Sequence, residues 1–270
     1  MDEADPRSSD LTTLMHAHQI VRTMERRISD QPWCLFLDVD GTLLEIAATP
    51  NAVRVEASLQ DLLERLRTVL DGAVALISGR PIVSLDKLFG PHRWAAAGVH
   101  GLERRDSQGR WHSQNGFDVA TVAQARDRLR QLAERLPGTI LEDKGLSVAL
   151  HYRQVPHLES KVRGEMRAIC RALGDRLVLL EGRMVVELRP AGANKADAIR
   201  EFLDEVPFKG RRPIFIGDDL TDEKALEEVQ RFGGLSIAVG DRVHAMLRVS
   251  CPRDVRVFLE ELAAAGAPPS

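Results

Sequence analysis

The chain has 270 residues, a formal net charge of −3 and a hydrophobic content of 44%. This length and composition are sufficient to bury one large core or two smaller ones. No apolar run approaches the roughly 20 residues that a membrane span needs. Aromatic residues make up only 4% of the chain, and no basic run is interleaved with them. Neither a membrane nor a nucleic acid is therefore an expected partner.

The N-terminus and the cysteines predict a cellular location. The first residues are acidic and lack the apolar segment of a signal peptide. The three cysteines, Cys34, Cys170 and Cys251, are odd in number, widely spaced and mostly set among apolar neighbours. They are predicted to be reduced core residues rather than metal ligands. We expect a cytoplasmic protein, and we expect it to be a monomer.

In chain order, the first predicted elements are a helix and a buried strand. Apolar residues have helical spacing from Leu11 to Ile28, within an N-terminal extension of residues 1–30. Trp33–Leu37 is a predicted buried strand that ends in Asp38 and Asp40. Aspartates at such a strand end lie where open α/β sheets bind ligands; one of them can attack phosphorus while the other transfers a proton. The alternative for this segment taken alone is an Asx-type turn.

Three further segments have comparable patterns. Residues 73–80 are predicted to form a second buried strand, which ends in Ser78 and a flexible turn. Lys195 opens an amphipathic helix, so its charge and the helix N-terminus could face the same anion. A third strand at 213–216 leads into carboxylates suited to a hard cation, namely Asp218, Asp219 and Asp222. A buried serine or a helix-start lysine alone is usually structural, but the four segments in this order predict a phosphoryl-transfer site.

The alternation of predicted elements divides the chain into a core and an insert. A helix over 55–70 between two strands makes a βαβ unit that ends near Gly98, and the βα pattern resumes after Pro190. The later core elements are strands at Ile214 and Ser236 and helices at Ala193, Thr221, Val243 and Val255. The insert is predicted to contain helices over 119–136 and 158–173, strands over 146–152, 177–180 and 184–188, and a hairpin turn at Gly182-Arg183. The predicted domains are an α/β core of residues 31–104 and 190–270 and an inserted lid of residues 105–189.

The insert and the core differ in charge. Residues 104–189 contain 16 Lys and Arg against 11 Asp and Glu, a net charge of +5, although the whole chain carries −3. A basic lid that faces an acidic, metal-binding core would attract a phosphorylated ligand. The alternative is that the arginines lie on solvated helix faces, as predicted for Arg126, Arg128 and Arg130.

The motifs of both parts resemble known families. The four core segments resemble the motifs of the haloacid dehalogenase-like (HAD) phosphatases. The lid segments resemble the trehalose-6-phosphate phosphatases in four places: GVHGLE at 98–103, LEDK at 141–144, ALHYR at 149–153 and EGRMVVELRP at 181–190. The resemblance covers roughly residues 33–225. It implies an α/β, HAD-like Rossmannoid core with a parallel sheet and an inserted α+β cap domain of type C2.

The resemblance also implies residue roles. Asp38 would be the nucleophile and Asp40 the general acid and base, while Ser78 and Lys195 would bind phosphoryl oxygens. Mg²⁺ would be bound by Asp38, the backbone carbonyl of Asp40 and Asp218. Asp219 and Asp222 would orient metal-bound waters or Lys195. The residues expected to contact the substrate are Thr42, Gly79, Arg80, His100, Gly101, Glu142, Lys144, Arg153, Arg183 and Glu187.

The expected reaction is the magnesium-dependent hydrolysis of trehalose 6-phosphate to trehalose and phosphate through an aspartyl-phosphate, as a step of trehalose biosynthesis. Two alternatives stay open. One is the same chemistry on another sugar phosphate, such as sucrose 6-phosphate or mannosyl-3-phosphoglycerate. The other is a sugar-phosphate sensor without turnover, against which the intact Asp40 argues. A response-regulator receiver also combines aspartates, a hydroxyl and a lysine, but in another order and in a shorter domain.

Overall fold

A computed structural model describes residues 13–14, 32–47, 53–90, 94–113, 119–192 and 194–265. Within these ranges the chain forms two β-sheets and seven α-helices. None of the seven helices combines the length and the apolarity that crossing a membrane requires.

The larger sheet has nine strands and the smaller sheet has four. The larger sheet contains β1 (Thr13–Leu14), β2 (Trp33–Leu37), β3 (Val74–Ile77), β4 (Ala95–Gly98), β5 (Glu103–Arg105), β6 (Trp111–Ser113), β11 (Arg212–Gly217), β12 (Leu235–Val239) and β13 (Leu247–Val249). The smaller sheet contains β7 (Ile140–Asp143), β8 (Val148–His151), β9 (Leu177–Gly182) and β10 (Val185–Pro190). The helices are α1 (Ala57–Val69), α2 (Ile82–Phe89), α3 (Val119–Arg135), α4 (Glu159–Leu173), α5 (Lys195–Leu203), α6 (Glu223–Arg231) and α7 (Pro252–Ala265).

The larger sheet is parallel from β1 to β4, in the order β1-β13-β12-β11-β2-β3-β4, and ends in the antiparallel pair β5 and β6. Its central strands are continuous apolar runs, as expected when helices cover both faces of a parallel sheet. All five residues of β2 are buried, and Phe36 stacks on Phe208 with ring centroids 5.3 Å apart. The α/β class predicted for the core is confirmed.

The smaller sheet is antiparallel, in the order β7-β8-β10-β9, and has its own hydrophobic core with α3 and α4. Side chains alternate along its strands. In β10, Val186 and Leu188 pack in that core, while Val185 and Glu187 line a cleft on the opposite side. An α+β unit inserted into the α/β chain, as predicted, is therefore present.

Several predicted elements differ from the structure. The helix predicted at Val243 is wrong, because the chain bends there before β13. Strand β8 begins at Val148 rather than at Leu146, and the tight turn of the β9–β10 hairpin falls at Arg183-Met184, one residue later than predicted. Helix α2 has no counterpart among the elements predicted from the sequence.

The N-terminal prediction and the domain boundary are only partly addressed by the structure. The helix predicted over Leu11–Ile28 lies outside the described residues except at Thr13–Leu14, which form β1 instead. Strand β5 spans the predicted boundary at residue 104 and β6 follows it, yet both belong to the larger sheet. The division into 1–30, 31–104 with 190–270, and 105–189 stays a prediction. Sheet membership favours a first boundary between Ser113 and Val119.

Candidate active site

Three adjacent strands of the larger sheet bring the predicted core residues to one edge. The sheet order β11-β2-β3 places the carboxyl ends of these strands side by side. Asp218 follows β11, Asp38 follows β2 and Ser78 follows β3. Neighbouring parallel strands end at the same edge, so residues far apart in the sequence meet there.

Lys195 connects two carboxylates at this edge. It is the first residue of α5, whose N-terminus is fixed by a capping box between Asn194 and Asp197. Its Nζ donates to Asp38 Oδ1 at 2.6 Å and to Asp222 Oδ1 at 2.5 Å. Burial alone would lower the pKa of Lys195, but the two carboxylates outweigh it and raise that pKa. The lysine is therefore a fixed cation at the floor of the site.

The carboxylates outnumber the cations that pair with them. One oxygen each from Asp38, Asp218 and Asp222 lie within 4.8 Å of one another, and all three residues are buried. Burial raises the pKa of Asp38 to about 7, even though Lys195 opposes the shift. Burial, together with the charges of Asp38 and Asp222, raises the pKa of Asp218 to about 9. Three buried carboxylates this close together form a donor set suited to a divalent cation with oxygen ligands.

Asp222 differs from the other two carboxylates in its partners. Its Oδ1 accepts from Lys195, while its Oδ2 accepts from the backbone N–H groups of Asp218 and Asp219, both at 3.1 Å. Both oxygens are thus used to orient Lys195 and the acidic loop. Asp38 and Asp218 are better placed as metal ligands.

The turn after β2 is shaped around Asp218. Gly41 has φ +92, and a Cβ atom there would overlap the Asp218 carboxylate, so only glycine fits. The buried Thr42 hydroxyl donates to Asp218 Oδ1 at a distance of 3.4 Å. Thr42 does not line the cleft described below, and the structure places it behind Asp218 rather than at the expected substrate surface.

A turn with left-handed backbone angles places His100 in the site. Val99 and His100 adopt left-handed backbone angles (φ +47 and +56), and Gly101 follows with φ +98. Consecutive non-glycine residues in this region are rare and cost free energy, and such strain clusters at functional sites. A Cβ at Gly79 would lie 2.6 Å from the His100 ring, so the glycine makes room for the imidazole. Gly101 does not line the cleft; it packs against the carbonyl of Asn194 at the start of α5.

On the smaller sheet, Glu187 is the centre of a buried polar cluster. Its Oε2 accepts from Lys144 Nζ at 2.5 Å and lies 3.6 Å from His100 Nε2, while its Oε1 accepts from Ser147 Oγ at 2.6 Å. Burial would raise the pKa of Glu187, but Lys144 and His100 hold it well below its usual range. Burial would lower the pKa of Lys144, but Glu187 and Glu142 raise it. This pair is fully ionised at neutral pH.

The remaining predicted cap residues lie around that cluster. Glu142 and His151, on neighbouring strands β7 and β8, are hydrogen-bonded at 2.7 Å. Arg153 Nη2 donates to the backbone carbonyl of Arg183 at 2.9 Å. Burial and the charge of Arg183 lower the pKa of Arg153. Two cations and a carboxylate thus face the same space.

All these groups surround one cleft between the two sheets, of about 1000 Å³ and open to solvent. The predicted site residues that line it are Asp38, Asp40, Ser78, Gly79, Arg80, His100, Glu142, Lys144, Arg153, Arg183, Glu187, Lys195, Asp218, Asp219 and Asp222. The structure therefore brings together fifteen of the predicted residues and leaves Thr42 and Gly101 in supporting positions.

Some residues of the site were not assigned roles from the sequence. Ser147 and His151 hydrogen-bond to Glu187 and Glu142, and Thr221 lines the cleft. The apolar lining residues are Ile46, Ala47, Val53, Leu180 and Val185. His151 lies in the ALHYR segment at 149–153, one of the segments that carry the family resemblance, and this membership could have indicated a role for it. The pairing of Ser147 with a residue 40 positions away had no signal in the chain.

The chain is similar in sequence to known phosphatases. A family model described as trehalose-phosphatase matches residues 36–250. The probable trehalose-phosphate phosphatase of Sinorhizobium fredii is 45% identical over 213 residues, covering 79% of this chain and 80% of the relative. The trehalose-6-phosphate phosphatase of Escherichia coli K12 is 42% identical over 234 residues, covering 85% and 86%.

Solved structures show the same architecture. A trehalose-6-phosphate phosphatase related protein matches with a TM-score of 0.74 at 29% identity, covering 86% of this chain and 98% of that one. The C-terminal domain of Candida albicans trehalose-6-phosphate phosphatase matches with a TM-score of 0.83 at 23% identity, covering 95% and 99%, and so shares the fold. These neighbours confirm the HAD-like fold with a cap.

Proposed function

The chain belongs to the trehalose-phosphatase family and is a phosphoric monoester hydrolase; from this premise we propose that it hydrolyses trehalose 6-phosphate to trehalose and phosphate through an aspartyl-phosphate on Asp38, with Mg²⁺. The observation that carries the proposal is the arrangement around Lys195. A buried lysine bridges Asp38 and Asp222 beside Asp218, opposite a charged cap surface in the same cleft.

The first step is phosphoryl transfer to the protein. A carboxylate oxygen of Asp38 attacks phosphorus, the bond between phosphorus and the sugar oxygen breaks, and Asp40 gives a proton to that leaving oxygen. Lys195 and the Ser78 hydroxyl neutralise and hold the phosphoryl oxygens. Phosphate monoesters react very slowly without catalysis, so positioning and charge neutralisation must supply most of the rate.

The second step regenerates the protein. Water attacks the phosphorus of the aspartyl-phosphate and loses a proton to Asp40, while the bond between phosphorus and the Asp38 oxygen breaks. Asp40 is then protonated again for the next cycle. The released inorganic phosphate has the same charge as the phosphate group of the substrate.

The donor set of the site supports a hard divalent cation. Mg²⁺ would be held by Asp38, Asp218 and the backbone carbonyl of Asp40, because Asp222 already uses both oxygens on Lys195 and on backbone N–H groups. When bound, the ion supplies positive charge to the phosphoryl group. Asp219 and Asp222 orient the acidic loop.

The cap supports a polyhydroxylated substrate. Two carboxylates and three cations of the cap line the cleft, namely Glu142, Lys144, Arg153, Arg183 and Glu187. Charge-assisted hydrogen bonds from such a set fit sugar hydroxyls and discriminate against ligands that lack them. The apolar residues Ile46 and Val53 line the same cleft and would contact ring carbons.

The test is phosphate release from a panel of substrates with Mg²⁺ and with chelator. The panel holds trehalose 6-phosphate, sucrose 6-phosphate, glucose 6-phosphate and mannosyl-3-phosphoglycerate. We expect strong preference for trehalose 6-phosphate and loss of activity with chelator. Equal metal-dependent rates on all four would contradict the cap assignment and keep the core chemistry. Binding without release from any would overturn the hydrolytic function and favour a sensor.

A further inference from the structure

The carboxylate of Asp40 is held by a bidentate ion pair. Arg80 Nε donates to Asp40 Oδ2 at 2.6 Å, and Arg80 Nη2 donates to Asp40 Oδ1 at 2.7 Å. The side chain of Arg80 is 11% exposed and that of Asp40 is 34% exposed. A planar guanidinium that bonds both oxygens fixes the plane of the carboxylate, which a lysine ammonium cannot do.

The backbone of Arg80 is anchored on both sides. Its N–H donates to Ser78 Oγ at 3.1 Å, and its carbonyl accepts from the N–H of Val99 at 3.0 Å. Immediately afterwards α2 begins, and the Ile82 N–H donates to Glu103 Oε1 at 2.5 Å. The arginine therefore presents its guanidinium from a rigid frame built on β3 and β4.

Arg80 lines the same cleft as Glu142 of the cap. Burial would lower the pKa of Arg80, but the hydrogen bonds and charge of Asp40, and the charge of Glu142, raise it. Asp40 must direct one oxygen toward the leaving sugar oxygen, and later toward water. With both oxygens on one guanidinium, the orientation of that carboxylate is set by Arg80.

We propose that Arg80 is a positioning residue for Asp40, and that it sets the direction in which Asp40 exchanges a proton with the leaving sugar oxygen and with water. The inference rests on the proposed function, in which Asp40 is the general acid and base. Arg80 itself exchanges no proton. The resemblance implies substrate contact for Arg80, a role that predicts a different kinetic signature.

The experiment compares two leaving groups in Arg80→Lys and Arg80→Gln. An alkoxide leaves only with a proton from Asp40, whereas p-nitrophenolate leaves without one. We expect kcat for trehalose 6-phosphate to fall by about 10²-fold, the scale of general acid–base catalysis, with KM within about threefold. The pre-steady-state burst of p-nitrophenolate from p-nitrophenyl phosphate should be kept, while its steady-state rate, which needs water activation, should fall.

Two further variants distinguish a positioning role of Arg80 from a purely structural role. Arg104 makes a comparable bidentate pair with Glu205, at 2.9 and 2.7 Å and 6% exposed, outside the cleft. Arg104→Lys should therefore leave both kinetic patterns unchanged. In an Asp40→Asn background, Arg80→Lys should change kcat by less than about twofold. If Arg80 acts only through Asp40, its replacement has little further effect once the Asp40 carboxylate is gone, so the effects of the two substitutions are not additive.

Three outcomes would overturn the assignment. A raised KM for the sugar phosphate with unchanged kcat would make Arg80 a substrate ligand. Equal loss of the burst and of sugar-phosphate turnover would give it a general structural or electrostatic role. A full additional loss in the Asp40→Asn background would show that it does not act through Asp40.

The wild-type protein distinguishes failure of this inference from failure of the proposed function. If it prefers another sugar phosphate, the Arg80 comparison uses that alkyl phosphate, and only the substrate assignment is overturned. If it releases no phosphate from any sugar phosphate or from p-nitrophenyl phosphate, both proposals are overturned.

Discussion

The floor of the cleft and its cap side both contain buried charges, but only the cap side balances them. On the floor, Asp38 and Asp218 have pKa values raised to about 7 and about 9, because burial disfavours their charged forms and the carboxylates exceed the cations around them. On the cap side, Glu187 and Lys144 shift each other's pKa values toward the ionised forms. Carboxylates without enough neighbouring cations favour binding of a cationic ligand. Carboxylates that are already paired with cations favour binding of a neutral polar ligand. The comparison thus predicts metal at the floor and sugar at the cap.

The largest effect should come from removing the nucleophile. We expect Asp38→Asn to lower turnover by about 10⁴-fold or more, as when a nucleophile is removed from other hydrolases. The same change removes one of three crowded carboxylates, so the melting temperature of the chelator-treated protein should rise or stay unchanged. Turnover is measured by phosphate release and melting by calorimetry. Substantial activity in the variant would contradict the mechanism, and a fall in melting temperature would contradict the charge imbalance.

Breaking the balanced pair on the cap should have the next largest effect. Glu187→Gln leaves Lys144 buried without its carboxylate, which costs about 3–5 kcal/mol in comparable buried pairs. The Glu187 pKa is lowered on folding, so its contribution is present above its usual pKa and is lost as pH falls. The Lys144 pKa is raised, so its contribution is lost only as pH rises beyond the usual lysine range. In the variant, burial is left to lower the Lys144 pKa, so the penalty of burying the charged lysine should be largest at low pH and should not grow as pH rises. Denaturant unfolding between pH 6 and pH 9 measures this, and a difference from wild type that increases with pH would contradict the pairing.

Metal binding should stabilise the floor more strongly as pH rises. The Asp38 and Asp218 pKa values are raised on folding, so their favourable contribution is complete below their usual pKa near 4 and is lost as pH rises through about 7 and about 9. Chelator-treated protein should lose stability across this window. Saturating Mg²⁺ should restore it, by about 2.7 kcal/mol at a hundredfold excess over Kd. Melting with Mg²⁺ or with chelator from pH 5 to pH 9 measures this, and Mg²⁺ stabilisation that decreases with pH would contradict it.

The smallest effect should follow from weakening one partner of the balanced cluster. Ser147→Ala removes the hydrogen bond to Glu187 Oε1 and leaves Lys144 in place. We expect a loss of about 1.5–3 kcal/mol, as for hydrogen bonds to charged groups. Arg130→Ala is the matched control, because Arg130 and Asp127 are mostly exposed at 3.4 Å and such pairs contribute about 0–1 kcal/mol. Equal losses in both variants would remove the distinction between buried and surface charges on the cap.

The sequence was informative where function depends on local geometry. Asp38, Ser78 and Asp218 each follow a buried apolar strand, and Lys195 opens a helix, so composition and periodicity alone placed them at element ends. It was less informative for short elements. Strands β5 and β6 have three residues each, too few for a period to be recognised, and neither was predicted. The predicted boundary at residue 104 falls within β5 and assigns β6 to the insert, although both strands extend the larger sheet.

Thr42 and Gly101 illustrate a different limit. Both lie next to reactive residues in the chain, and the resemblance placed them at the substrate. In the structure, Thr42 donates to Asp218, while Gly101 lies against the start of α5. Adjacency in a motif does not determine on which side of a turn a side chain points.

The sequence by itself determined the fold class, the inserted unit and the position of the candidate reacting groups at the ends of strands and at the start of a helix, because apolar periodicity and strand-end chemistry are local properties of the chain. Only the tertiary structure decided which groups are paired. Arg80 and Asp40 are 40 residues apart, Lys144 and Glu187 are 43 apart, and Lys195 and Asp38 are 157 apart. The physical reason is that the energy of a charge depends on its burial and on its partners in space. The floor and the cap of one cleft therefore both contain buried carboxylates and lysines, but the floor has an excess of carboxylates, whereas Glu187 and Lys144 of the cap balance each other.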